Sequence, residues 1–84
     1  MERKEIFEII AQYFVNQFEI PQEKITLEAH LRDDLGLDSI DALDMIGMLE
    51  AKLGMEIEGE ELKKIRTVKD VVDFIDAKLR SLKK

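Results

Sequence analysis

The sequence of 84 residues contains no cysteine and only one histidine. Without cysteine the chain forms no disulfide bond and offers no thiolate, and one histidine leaves no cluster of the kind that holds zinc. No apolar stretch approaches the length that crosses a membrane, and Met1 is not followed by a basic segment and an apolar run. These absences predict a cytosolic protein that depends on its hydrophobic core for stability.

Charge is abundant and unevenly distributed along the chain. Hydrophobic residues make up 45% of the sequence and charged residues 38%, a composition typical of a short amphipathic helical protein rather than a disordered tail. Residues 33–61 hold ten acidic side chains and one basic one, whereas residues 62–84 hold eight basic and three acidic. An acidic centre repels nucleic acid and attracts proteins with basic surfaces, so we expect protein partners and no nucleic-acid binding.

Apolar residues at three- and four-residue spacing predict three longer helices and one short helix. Gly54 is the expected C-cap of the second helix, and Thr67 with Asp70 forms a capping-box pattern at the start of the fourth. The predicted helices cover residues 3–18, 39–53, 59–65 and 67 onward.

Roughly twenty residues connect the first two helices, a length that usually has a function or contains a short element of its own. A single turn is expected near residues 31–35. The expected apolar anchors of this loop are Leu27, Leu31, Leu35 and Leu37. The sequence as a whole predicts an all-α fold, a small four-helix bundle with a long first loop, in one domain of residues 1–84.

Ser39 opens the second helix within the segment DDLGLDSIDALDMIGMLE. Free N–H groups and a partial positive charge at a helix N-terminus stabilise a phosphate there. By its local pattern alone, a serine at this position is most often an N-cap. Nucleophilic catalysis needs a nearby base, and the only candidate, His30, has no recognisable triad partner or elbow motif. We therefore predict no catalytic residues.

The segment from Leu31 to Ile75 resembles the acyl carrier proteins, with Asp38-Ser39-Ile40 at the position of the family's Asp-Ser-Leu motif. The resemblance implies that Ser39 bears 4′-phosphopantetheine, donated by coenzyme A through a phosphopantetheinyl transferase. The thiol of this arm then carries acyl groups as thioesters. The resemblance therefore implies a non-enzymatic carrier for fatty-acid biosynthesis, with the same helical arrangement.

Two alternatives remain at this point. The chain could be a carrier for a polyketide, aminoacyl or lipid-modification pathway, sharing the arm but serving other enzymes. From another class, it could be an acidic helical interaction module that bears no prosthetic group. A calcium-binding loop starting at Asp34 is excluded, because Ser39 and Met45 stand where that loop needs glycine and glutamate. No metal site is expected.

The resemblance also implies that the second helix docks the transferase and acyl-processing synthases through their basic surfaces. The expected docking residues are Asp38, Ile40, Asp41, Asp44 and Met48. Helical spacing places Ala42, Met45, Ile46, Leu49 and Leu53 on the buried face, and Asp41, Asp44, Gly47, Met48 and Ala51 on the exposed one. Gly47 departs from the larger apolar residue that many family members have, and Ala51 and Lys52 occupy positions that are often acidic.

The family's core opens to admit the acyl chain, and the resemblance implies a cavity of this kind here. Its expected lining is Met45, Ile46, Leu49, Ile57, Leu62, Ile65, Val71 and Ile75. We expect no special role for His30, a position for Tyr13 at the edge of the core, and a monomeric protein without a membrane span.

Overall fold

Apolar residues at helical spacing form three helices of 15 or 16 residues in the computed structural model, which describes residues 2–57 and 59–82. The predicted all-α class is confirmed, and within the described ranges the only extended pairing is one antiparallel bridge between His30 and Thr67. The elements are α1 (Arg3–Phe18), a 3-10 turn (Gln22–Lys24), α2 (Ser39–Leu53), α3 (Gly59–Leu62) and α4 (Val68–Leu82).

Helix α1 packs against α4 through the apolar stripe that its sequence predicts. Ile6, Ile10 and Phe14 are fully buried, because they recur at three- to four-residue spacing on one side of the helix. Glu2 and Glu5 form a reciprocal capping box at its start. The prediction of a helix over residues 3–18 is confirmed.

Helix α2 buries three of the five residues expected on its inner face. Met45, Ile46 and Leu49 lie in the core, whereas Ala42 and Leu53 are half-buried. The helix ends at Gly54, whose φ of 64° is in the left-handed region. Glycine adopts this conformation without steric cost, so the predicted C-cap is confirmed.

Helix α3 is shorter than the sequence predicts. It covers Gly59–Leu62 only, whereas the expected span was 59–65. The N–H groups of Lys63 and Lys64 each donate to the carbonyl three residues earlier, at 3.3 and 3.2 Å, which tightens the helix into a turn. Apolar residues three apart fit a single turn as well as a helix, so periodicity did not fix this boundary.

The predicted capping box at the start of α4 is present. The Asp70 N–H donates to the Thr67 hydroxyl at 3.2 Å, and the Asp70 carboxylate accepts from the Thr67 N–H at 3.1 Å and the Arg66 N–H at 3.0 Å. Burial pushes the Asp70 pKa upward, but these hydrogen bonds and the nearby Lys69 charge outweigh it and lower the pKa. The carboxylate form of Asp70 therefore stabilises this helix end.

The loop between α1 and α2 is fastened to the start of α4 by its backbone. Leu31 donates to the Arg66 carbonyl at 2.9 Å, and the N–H groups of Val68 and Lys69 donate to loop carbonyls of residues 29 and 27 at 3.0 and 2.9 Å. These bonds satisfy N–H groups that a helix start leaves without a partner. The long loop thus follows a defined path across the bundle.

Apolar side chains hold the same loop from within. Leu31 and Leu37 are buried and Leu35 is half-buried, as expected, but Leu27 is 38% exposed. The prediction for Leu27 was wrong because its backbone carbonyl, rather than its side chain, makes the contact with α4. Three further anchors were not predicted: Ile20, Ile25 and Ala29.

A single hydrophobic cluster joins the loop and the three long helices. Its buried members are Ile6, Ile10, Ala11, Phe14, Ile20, Ile25, Ala29, Leu31, Leu37, Met45, Ile46, Leu49, Met55, Val68, Val71, Val72 and Ile75.

Candidate functional site at the start of α2

A hydrogen-bonded turn over residues 31–35 lies shortly before the start of α2. The His30 Nδ1 accepts from the N–H groups of Arg32 at 3.2 Å and Asp33 at 3.1 Å, and the Asp34 carboxylate accepts from the His30 N–H at 2.6 Å. The turn near 31–35 is therefore present as predicted. The expectation that His30 has no special role was wrong, because its ring nitrogen organises this turn.

The residue that caps α2 is Asp38 rather than Ser39. The Asp38 carboxylate accepts from the Asp41 N–H at 2.9 Å, and the Asp41 carboxylate accepts from the Asp38 N–H at 3.3 Å. This is a reciprocal capping box, which satisfies two donors at the helix start. Local pattern alone favoured Ser39 as the cap, but Asp38 adopts the extended conformation of the cap and α2 begins at Ser39.

Ser39 is consequently the first residue of α2, and its hydroxyl is not needed by the fold. The side chain is exposed, and it makes no hydrogen bond within residues 2–57 and 59–82. Any phosphate ester at Ser39 would lie at the positive end of the helix dipole, which favours an anion. The position therefore fits the attachment of a bulky phosphodiester without loss of a structural contact.

Two large apolar side chains beside Ser39 are exposed to solvent. Ile40 is 67% exposed and Leu43 is 55% exposed. Ile40 was among the expected docking residues, but Leu43 was not. Leu43 follows Ser39 by one helical turn, so this spacing could have identified it as a neighbour of the serine.

The face of α2 that helical spacing predicts to be exposed is only partly exposed. Asp44, Gly47 and Ala51 are exposed as predicted, but Asp41 and Met48 are half-buried. The prediction was wrong for these two because they lie at the edge of α2 that faces α1. Met48 lines a groove there together with residues of α1 that include Gln12 and Val15.

Tyr13 on α1 lies close to the acidic edge of α2. Burial raises the pKa of its phenol, and the nearby carboxylates of Asp44 and Asp41 raise it further. The phenol therefore stays neutral across the physiological range. Its ring packs edge-on against Phe18, with the centroids 5.5 Å apart, which agrees with its expected place at the edge of the core.

The residues expected to line an acyl cavity are grouped around the core. Met45, Ile46, Leu49, Val71 and Ile75 are buried, and Ile57 and Ile65 pack against them half-buried. The Leu62 side chain lies outside what the structure describes.

Contacts at both ends hold α3 beside this group. The Glu50 carboxylate accepts from the Ile57 N–H at 3.1 Å. At the other end, Lys78 of α4 pairs with Glu61 at 3.5 Å and lies 5.7 Å from the centre of the Phe74 ring. One contact ties the segment before α3 to α2, and the other ties α3 to α4.

In the described part of the chain, no group of three or more histidine, cysteine, aspartate or glutamate side chains is arranged to hold a metal ion. The same residues include no helix with the length and hydrophobicity required to cross a membrane.

Similarity to known proteins identifies the family to which this arrangement belongs. The family model described as "Phosphopantetheine attachment site" matches residues 8–75. An acyl carrier protein of Saccharopolyspora erythraea is 48% identical over 74 residues, which is 88% of this chain and 78% of that protein. The chain belongs to the acyl carrier protein family.

Two further relatives extend the similarity to nearly the whole chain. An acyl carrier protein of Coprothermobacter proteolyticus is 40% identical over 79 residues, or 94% of this chain and 96% of that protein. The crystal structure of an acyl carrier protein from Thermotoga maritima superimposes with a TM-score of 0.86 at 33% identity, covering 98% of this chain and 95% of that one. The chain is accordingly a carrier with covalently attached 4′-phosphopantetheine rather than an enzyme.

Proposed function

We propose that Ser39 is the attachment residue and that the loaded protein carries acyl intermediates as thioesters in fatty-acid biosynthesis. One observation carries this proposal: Ser39 is exposed at the first position of α2, and its hydroxyl makes no hydrogen bond to the described residues, because Asp38 performs the capping. Loading forms a phosphodiester between the Ser39 oxygen and the pantetheine phosphate of coenzyme A. The nucleotide half of coenzyme A leaves, and the hydroxyl proton passes to a base of the transferase.

The imported thiol supplies the acyl chemistry that the chain itself lacks. With no cysteine in the sequence, the only sulfur able to form a thioester is that of the arm. The base that these steps require is then supplied by the partner enzymes. This chain contributes the point of attachment, Ser39 at the start of α2.

Docking of the transferase and of acyl-processing synthases is the second part of the proposal. Asp44 and Ile40 are exposed beside Ser39, and Leu43 extends the apolar part of this surface. Asp38 and Asp41 add negative charge while capping the helix, and Met48 contributes from the edge facing α1. Such a surface attracts basic partners and releases them readily, because exposed charges are screened and contribute little affinity.

Sequestration of the acyl chain is the third part. We infer that the chain enters among Met45, Ile46, Leu49, Ile57, Leu62, Ile65, Val71 and Ile75 when α3 moves away from α2. In this proposal residues 1–84 act as one domain, a small four-helix bundle in which α3 is the short fourth helix. Methionine and aliphatic side chains repack more readily than aromatic ones, which favours such an opening.

A carrier for a polyketide, aminoacyl or lipid-modification pathway is the second candidate. The observation that favours it is the neutral second half of the exposed face of α2, where Gly47 and Ala51 are followed by Lys52. An acidic module without a prosthetic group is disfavoured by the match to the attachment-site family.

With either pathway, we infer a cytoplasmic monomer, since its partners are soluble biosynthetic enzymes.

Intact-mass measurement tests the attachment residue directly. The protein is incubated with coenzyme A and a broad-specificity phosphopantetheinyl transferase, alongside Ser39→Ala and the matched control Ser81→Ala. Ser81 is the only other serine in the chain and is exposed near the end of α4. We expect the wild type and Ser81→Ala to gain one phosphopantetheine each and Ser39→Ala to gain none. Loading of Ser39→Ala would contradict the assignment.

A further inference from the structure

The His30 ring holds the turn before α2 by accepting hydrogen bonds from the backbone. Its Nδ1 accepts from the N–H groups of Arg32 and Asp33, at 3.2 and 3.1 Å, while the Asp34 carboxylate accepts from the His30 N–H at 2.6 Å. The two side chains thus satisfy donors at the start of the turn in the reciprocal manner of a capping box. The His30 side chain is only 34% exposed, so the ring is an integral part of this loop.

Backbone hydrogen bonds extend from this turn in both directions. At its start, the Leu31 N–H donates to the Arg66 carbonyl just before α4, at 2.9 Å. At its end, the Leu37 N–H donates back to the Leu31 carbonyl at 2.8 Å. Leu31 and Leu37 are both buried, and Leu37 lies two residues before Ser39. The turn that His30 caps therefore connects the start of α4 to the approach to Ser39.

The first residues of α2 have no anchor of their own in the core. Asp38, Ser39 and Ile40 are all exposed, and the first buried residue of the helix is Met45. At a rise of about 1.5 Å per residue, Met45 lies about 9 Å along the helix from Ser39. The nearest buried anchor of Ser39 along the chain is instead Leu37, which the turn holds in place. The position of the serine hydroxyl therefore depends on the turn as well as on α2.

In an inference that rests on the loading of Ser39 proposed above, we propose that His30 is a positioning residue for that reaction. Its Nδ1 fixes the turn, the turn fixes Leu37, and Leu37 sets where the Ser39 hydroxyl is presented to the transferase. Transfer requires the serine oxygen to lie close to the phosphate of coenzyme A and in line with the bond that breaks, and a displacement of about 1 Å can cost about 100-fold in rate. His30 acts through the backbone and takes no part in bond formation.

Docking of the transferase depends on the turn much less than the position of the hydroxyl does. The exposed docking residue Asp44 directly precedes the buried Met45, so the packing of α2 on the core holds it in place. A loosened turn therefore displaces Ser39 while the docking surface stays where it is. The expected signature is a lower kcat for loading with an unchanged KM for the carrier.

Four variants separate the Nδ1 acceptor from the rest of the side chain. His30→Ala and His30→Leu both remove the acceptor, and leucine keeps most of the bulk of the ring in case the smaller residue impairs folding. His30→Asn retains an acceptor oxygen on Cγ, the atom that bears Nδ1 in histidine, and asparagine caps backbone N–H groups well. Thr26→Ala is the matched control, because Thr26 is exposed in the same loop and its side chain makes no hydrogen bond in the described part of the chain.

Loading by a purified phosphopantetheinyl transferase with coenzyme A is measured for each protein. We expect His30→Ala and His30→Leu to lower kcat about five- to twentyfold, with KM within about twofold of the wild type. His30→Asn should recover most of the rate, and Thr26→Ala should load like the wild type. Thermal unfolding followed by circular dichroism checks that each protein is folded at the assay temperature.

Amide hydrogen exchange on the unloaded proteins tests the turn itself. The N–H groups of Arg32 and Asp33 should exchange at least about tenfold faster in His30→Leu than in the wild type, because they lose their acceptor. His30→Asn should keep them protected. This measurement by NMR needs neither the transferase nor coenzyme A.

Three results would overturn the positioning role of His30. They are a wild-type kcat in both acceptor-free variants, an equal loss of rate in His30→Asn, and a raised KM with kcat unchanged, which would make His30 a docking residue. Failure of the carrier function looks different, because the wild-type protein itself would then gain no phosphopantetheine. A wild type that is loaded alongside indifferent His30 variants keeps the carrier function and loses only this inference.

Discussion

At the scale of single residues, Asp38 caps α2, and this leaves the hydroxyl of the adjacent Ser39 available for modification. Asp38 takes the capping position and pairs with Asp41, so the adjacent serine contributes nothing to the helix start. A serine used as a cap would exchange a structural hydrogen bond for each modification. The modification of the Ser39 hydroxyl that we propose involves no such loss.

Substitution of Asp38 separates its capping role from its charge. Asp38→Ala removes the acceptor for the Asp41 N–H and should lower the free energy of unfolding by about 1 kcal/mol. Asp38→Asn keeps an acceptor of similar capping strength and should stay near the wild type. Urea denaturation followed by circular dichroism measures both. Equal destabilisation by the two variants would assign the effect to charge instead of capping.

At the scale of elements, helices α1, α2 and α4 follow directly from their apolar periodicity, whereas the C-terminal end of α3 and the course of the loop do not. Long stripes such as Ile6, Ile10 and Phe14 specify a helix by repetition. Leu62 and Ile65 supply a single repeat, which is compatible with either a helix or a turn. The loop is positioned by backbone hydrogen bonds to α4 and by the His30 ring nitrogen, and side-chain patterns do not reveal such contacts.

Part of the candidate site could be predicted from the sequence, and part depends on contacts between helices. Ser39 and the acidic character of α2 are visible in the sequence, because the motif lies in one continuous segment. The half-burial of Asp41 and Met48 depends on where α1 approaches α2. That is a tertiary contact between segments about thirty residues apart, and helical periodicity within α2 carries no information on it.

The capping box of α4 gives this element a defined acid sensitivity. The pKa of Asp70 is lowered in the folded protein, so its contribution is present above the unfolded value of about 3.9 and is lost as the pH falls through the lower folded value. Asp70→Asn should therefore have a lower Tm than the wild type at pH 7, and the two Tm values should converge as the pH falls through the lowered pKa of Asp70.

Thermal unfolding at a series of pH values measures this difference. All other ionisable groups are common to both proteins, so their contributions cancel when the two Tm values are subtracted. A gap that stays constant from pH 7 to acid would show that the Asp70 charge does not stabilise α4.

At the scale of the whole molecule, acidic and basic side chains are concentrated in different segments of the chain. The acidic segment of residues 33–61 includes α2 and its exposed Asp44. Residues 62–84 carry a net positive charge, with eight basic and three acidic side chains. Fields of this kind raise the rate of encounter more than they strengthen the complex. A carrier that visits several enzymes in turn needs fast arrival and fast release.

Charge reversal at Asp44 tests this steering without disturbing a cap. Asp44→Lys should lower kcat/KM for transferase loading by about three- to tenfold at low ionic strength. The control Glu23→Lys makes the same change in net charge on the exposed 3-10 turn and should load normally. Raising the salt concentration to about 0.5 M should bring Asp44→Lys close to the wild type, since exposed charges are then screened. Equal slowing by both variants would indicate a nonspecific effect of net charge.

The backbone bridge between the long loop and α4 also makes the C-terminal helix a place from which events at Ser39 can be observed. The amides of Val68 and Lys69 donate to carbonyls of the loop that leads into the serine, so any shift of that loop alters the length of these two hydrogen bonds. Amide chemical shifts respond sensitively to hydrogen-bond length. We therefore expect two backbone signals on α4 to report the proposed loading and docking, and no label needs to be placed on α2.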